Sequence, residues 1–124
     1  MTATTLVKVS GAIEAATGVA LIAAPELVAR VLLGAELAAS GVAVARLAGC
    51  GLLSLGLACW PGSEDAAPQA VRALVIYNLL AGLYLGYLRV GGGFISYLLW
   101  PACVLHLVLG VLLVRAAYLG ARNV

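Results

Sequence analysis

The stretch 70–90, AVRALVIYNLLAGLYLGYLRV, runs directly into Gly91-Gly92-Gly93. A bilayer hydrocarbon core of about 30 Å takes about 20 apolar residues in helical form, and this stretch meets that length. No alternation of polar and apolar residues with period two runs through it, so it does not read as a strand of a membrane barrel. The glycines end it, because a helix is costly to continue through them. Three further stretches read the same way: about Leu6 to Ala24, closed by Pro25; about Leu37 to Trp60, closed by Trp60-Pro61-Gly62; and about Leu98 to Leu119. Four such helices with short connections imply an all-α, up-and-down integral membrane bundle, a single transmembrane domain over residues 1–124.

Composition agrees with this reading. Of 124 residues 65% are hydrophobic and 10% charged, whereas soluble domains are roughly half apolar and about a quarter charged. A net charge of +2 from 7 basic and 5 acidic residues is too weak and dispersed for a nucleic-acid surface, so no nucleic-acid partner is expected. Cys50, Cys59 and Cys103 show no Cys-x-x-Cys spacing, and one histidine cannot supply a conventional zinc or bis-histidine haem site. Neither a metal nor a cofactor is expected. Phosphate loops and hydrolase motifs are absent, which favours a non-enzymatic protein.

The first span could be taken for a signal peptide, with Lys8 as its basic flank, but Glu14 interrupts its apolar region. A retained span is expected. Between spans one and two, Leu27, Val28, Val31 and Leu32 share one helical face while Glu26 and Arg30 lie elsewhere. A short interfacial helix is therefore expected, with Pro25 at its first position; an extension of the first helix past a proline kink is the alternative. An even number of spans puts both termini on one side. Lys8, Arg72, Arg115 and Arg122 fall on that side against Arg30, Arg89 and Arg46 on the other, which favours cytoplasmic termini by a thin margin.

Each span carries one strongly polar residue: Glu14, Arg46, Asn78 and His106. Charged residues at membrane depth cost about 2.5–3.5 kcal/mol each on insertion scales and normally face the bundle interior. At about 1.5 Å per residue all four lie near one slab of the bilayer. Small residues accompany them, among them Gly11 and Gly18 near Glu14, Gly49 near Arg46, Gly82 and Gly86 near Asn78, and Gly110 near His106; these permit close helix approach. The favoured arrangement is a Glu14–Arg46 ion pair with Asn78 and His106 around it and a modest adjoining cavity. Tyr77, Tyr84 and Cys103 are the expected lining. Trp60, Trp100, Tyr97 and Tyr118 fall at span ends and read as an interfacial aromatic belt.

With Glu14 in the first helix, Arg46-Leu47-Ala48-Gly49 in the second, Tyr77-Asn78 in the third and Trp100-Pro101 followed by His106-Leu107 in the fourth, the chain resembles small four-helix bacterial membrane proteins of the DoxX-like type. That resemblance implies the bacterial inner membrane, and some relatives are associated with quinone-linked oxidoreductase complexes. A lipid-like or quinone-like ligand, membrane lipids, and assembly as a homo-oligomer or as a subunit of a larger membrane complex follow as expected partners. A second, local similarity links Ala12-Ile13-Glu14-Ala15-Ala16-Thr17-Gly18 to small multidrug-resistance transporters. It implies the alternative of proton-coupled transport through Glu14, from which Arg46 and His106 depart.

Overall fold

The computed structural model describes residues 1–62 and 65–122, with the side chains of residues 120–122 outside that description; the Arg122 side chain, used above to weigh orientation, is among them. Five helices make up the described chain: α1 (Ala3–Ala23), α2 (Pro25–Leu33), α3 (Ala39–Ala58), α4 (Pro68–Val90) and α5 (Leu99–Arg122). Four of them, all but α2, are long and apolar enough to cross a membrane. The protein is thus an all-helical bundle with the dimensions and composition of an integral membrane protein.

Local chemistry sets the boundaries. Thr2 caps α1, its hydroxyl accepting from the Thr5 backbone N–H at 3.2 Å. The chain breaks at Ala24, whose φ of −142° and ψ of 62° are not helical, and Pro25 starts a separate helix at its first turn. Of the two readings of this segment, the independent short helix is the one formed. It ends at Gly34, in the left-handed region at φ 67°, where a Cβ would lie 2.5 Å from the Ile95 carbonyl oxygen. That contact and the bond from the Ser96 hydroxyl to the Val31 carbonyl tie α2 to the α4–α5 connection.

The helices pack as two pairs, α1 with α3 and α4 with α5, joined mainly along α1. Glycines set both seams. A Cβ on Gly18 would sit 2.5 Å from the Leu53 nitrogen, and one on Gly49 2.8 Å from the Gly18 carbonyl oxygen. Between α4 and α5, a Cβ on Gly82 would sit 2.7 Å from the Leu107 side chain and 3.1 Å from its nitrogen, and the Cys103 thiol donates to the Gly82 carbonyl at 3.2 Å. The pairs close on each other at the end nearer the N-terminus, where Leu6, Val7, Cys59, Val71, Leu74 and Leu113 form the core. Here the Ala66 backbone N–H also donates to the Thr4 hydroxyl at 3.1 Å. Toward α2 the pairs are not closed in this way. The core is sealed at one end of the bundle and the polar groups lie beyond it.

This topology has a direct test. After replacement of the native cysteines by alanine, Thr2→Cys and Asp65→Cys should be labelled by a membrane-impermeant maleimide from one side. Glu36→Cys and Tyr97→Cys should react only from the other. Labelling of Thr2→Cys and Asp65→Cys from opposite sides would contradict the four-span arrangement.

Candidate functional site

Glu14 stands in the middle of α1, about 16 Å along a helix of about 31 Å, and its side chain is 1% exposed. Ser10, one turn earlier on the same face, and Asn78 of α4 are fully buried beside it. Asn78 Nδ2 donates to the Ser10 hydroxyl at 2.8 Å and to the Leu74 carbonyl, also at 2.8 Å. Its Oδ1 lies 3.0 Å from His106 Nδ1 of α5. The same ring nitrogen is 3.8 Å from Glu14 Oε1, too long for a hydrogen bond. The Tyr77 hydroxyl is turned to the Glu14 carboxyl as its hydrogen-bonding neighbour. The Tyr77 and His106 rings meet edge to face, with centroids 5.7 Å apart. Three helices thus bring five polar side chains together at mid-membrane depth. One atom is left over: Glu14 Oε1 is buried with no hydrogen-bond partner among the described residues.

A cavity of about 450 Å³ opens beside this cluster on the α2 side. It is the gap left where the α1/α3 and α4/α5 pairs fail to close, and α2 lies across it through Val28 and Leu32. Thr17 of α1, Leu52 of α3, Ala81 of α4 and the rings of Tyr77 and His106 also line it. Its size is in the range of sites for small organic ligands, and its wall is apolar apart from a few polar groups gathered together. A second hollow of about 500 Å³, between α4 and α5 at the terminal end, is larger. It carries no buried polar residue and reads as an apolar surface groove.

Of the four intramembrane residues expected to converge, Glu14, Asn78 and His106 do. Arg46 does not. It is exposed, and no ion pair joins it to Glu14. The reason lies in the packing of α3. Gly49 and Gly56 define its buried stripe against α1, and Arg46 falls about 60° to one side of that stripe. In a closed bundle that flank would face the remaining helices, but α3 packs chiefly on α1, so the flank opens outward. Arg46 is about 10 Å from the α2 end of α3, a depth from which its long side chain can extend toward the interface.

Of the expected lining residues, Tyr77 and Tyr84 border the cavity, Tyr84 largely exposed at its edge and stacked on Tyr87. Cys103 is buried in the α4–α5 seam instead and does not line it. Ser10 was not among the expected site residues. Its spacing of four from Glu14 was the available signal, but a lone serine in an apolar span has many other uses. Among the described residues no group of three His, Cys, Asp or Glu side chains could hold a metal ion.

Asn78 links α1 to α5, so its replacement is a test of the cluster's geometry. Asn78→Leu strands the Ser10 hydroxyl and His106 Nδ1 without a partner, and a loss of about 2 kcal/mol is expected. Unfolding in mixed detergent micelles reads this out, and an unchanged midpoint would mean that the bonds do not form.

Comparison with family models, with curated proteins and with solved structures found no match.

Proposed function

We propose that this protein is a non-enzymatic integral membrane protein that binds an amphiphile, an apolar molecule with one polar head of lipid-like or quinone-like kind, in the cavity beneath α2. The carrying observation is Glu14 Oε1, an unpartnered carboxyl oxygen buried behind Tyr77 and His106, two of the polar residues that line the cavity. Groups buried for stability alone are paired, and an ionisable side chain inside a membrane bundle points to function. The order of Glu14, Arg46, Tyr77-Asn78 and His106 supports placing the chain with the DoxX-like proteins of the bacterial inner membrane, with cytoplasmic termini.

An inventory by mass spectrometry of small molecules that copurify in mild detergent tests the binding. Ala81→Phe fills the cavity from its α4 wall and should abolish any specific companion while leaving the protein folded. A companion retained at full occupancy by Ala81→Phe would refute the assignment.

One observation favours a second reading. With Arg46 turned away, no guanidinium competes for Glu14, and the carboxyl is free of the cation that most sets this chain apart from a proton-coupled transporter. That reading predicts proton release when a lipophilic cation binds, abolished by Glu14→Gln alone. Binding without proton release would exclude it.

A further inference from the structure

The hydrogen-bonding polarity of the cavity's inner wall follows from how two of its polar lining residues, His106 and Tyr77, are held from behind, and it narrows the ligand proposed above to one chemical class. Asn78 lies against the Leu74 carbonyl. A carbonyl only accepts, so the Asn78 atom 2.8 Å from it must be the amide nitrogen. This fixes the amide's orientation, and the Asn78 atom facing the imidazole is then Oδ1. An amide oxygen also only accepts, so His106 Nδ1 carries the proton and donates at 3.0 Å. No carboxylate accepts a hydrogen bond from the ring, the nearest being Glu14 Oε1 at 3.8 Å. In its neutral form the ring therefore carries its proton on Nδ1. Nε2 then bears a lone pair, and it has no partner among the described residues.

Tyr77 is held in a related way. Its hydroxyl is the hydrogen-bonding neighbour of the Glu14 carboxyl; donating to an ionised carboxyl, it keeps an acceptor lone pair for the cavity. Thr17 and Tyr84, the other two polar residues in the lining, can act either way, and Tyr84 stands exposed at the cavity's edge. The two polar groups held from behind, His106 and Tyr77, are the ones that present acceptors.

Resting on the binding function proposed above, we infer that the cavity selects an amphiphile whose head donates a hydrogen bond, a phenol, quinol or alcohol hydroxyl, over one whose head only accepts, such as a quinone carbonyl, ketone or ether. The donor reaches His106 Nε2, with Tyr77 as the neighbouring acceptor. A carbonyl placed there faces lone pairs and leaves its own acceptor unsatisfied in an apolar site, and it is rejected for that reason.

A matched pair of probes tests this without redox chemistry: a para-alkylphenol and the methyl ether of the same molecule, titrated against the full-length protein in nanodiscs. The phenol should bind about five- to tenfold more tightly, the value of one good neutral hydrogen bond. His106→Phe should bring the ratio to about one, and the wild-type comparison stands even if that variant fails to fold. If the two probes bind equally, or the ether binds better, the imidazole offers no acceptor and the inference is wrong while the cavity still binds amphiphiles. If neither probe binds wild type more tightly than it binds Ala81→Phe, in which the cavity is filled, the binding function itself is overturned.

Discussion

Gly56→Leu is expected to separate α1 from α3 and to cost at least about 3 kcal/mol, while Gly51→Leu, five residues away on the same helix, changes stability by less than about 0.5 kcal/mol. A Cβ at Gly56 would fall on the Gly11 carbonyl oxygen and 2.8 Å from the Ala15 nitrogen, both backbone atoms that no rotamer change can move. At Gly51 nothing lies within 4 Å. The two substitutions have the same propensity effect and the same added volume, so the difference isolates the packing. Because α3 is held mainly by α1, Gly56→Leu should also loosen the Leu52 wall of the cavity. Unfolding in detergent of wild type and both variants reads the first effect, and equal midpoints for the two variants would contradict the close approach.

The second large effect has the unusual sign. Glu14→Met, close to Glu14 in volume, should leave the protein as stable or raise its stability by about 1 kcal/mol. In the folded protein Oε1 is shut away without a hydrogen bond, so its removal takes away a desolvated polar atom and no protein contact of that oxygen. His106 keeps its bond to Asn78, and the Tyr77 hydroxyl, which loses its partner, borders the cavity. If Glu14 were instead half of a structural ion pair, removing it would strand a buried charge and cost about 3–5 kcal/mol. A fall of that size would show that the cluster holds the bundle together. The absence of Arg46 from the cluster is what moves the expectation from loss to gain.

The spans and the short interfacial helix were legible because their signals are one-dimensional: apolar length, and the breaks at Pro25, Pro61 and Gly91. Glu14, Asn78 and His106 were legible for a similar reason, since depth along a helix follows from counting residues. Arg46 shows where counting stops. Its depth was readable, but which way it faces depends on how many neighbours α3 has, and that is set by two seams of glycine and backbone that composition alone does not place. Cys103 went to the α4–α5 seam by the same rule, where the close approach of the two helices at Gly82 puts its thiol on the Gly82 carbonyl. A cavity beside the cluster with Tyr77 and Tyr84 in its wall was legible, but its place beneath α2 and its other walls were not, because it is a gap between helix pairs that close at the opposite end.

Photolabelling bears most directly on the claim that the space beneath α2 is a ligand site. A para-alkylphenol carrying a diazirine on its tail, photolysed with the protein in nanodiscs and mapped by peptide mass spectrometry, should mark Leu52, Ala81 and Leu85 around the cavity. These adducts should vanish in Ala81→Phe and be competed by the unmodified phenol. Adducts spread instead over outward residues such as Val44, Leu57 and Leu83, unaffected by competitor, would show that the probe meets this protein only as it meets any apolar helix, and that the cavity holds no ligand.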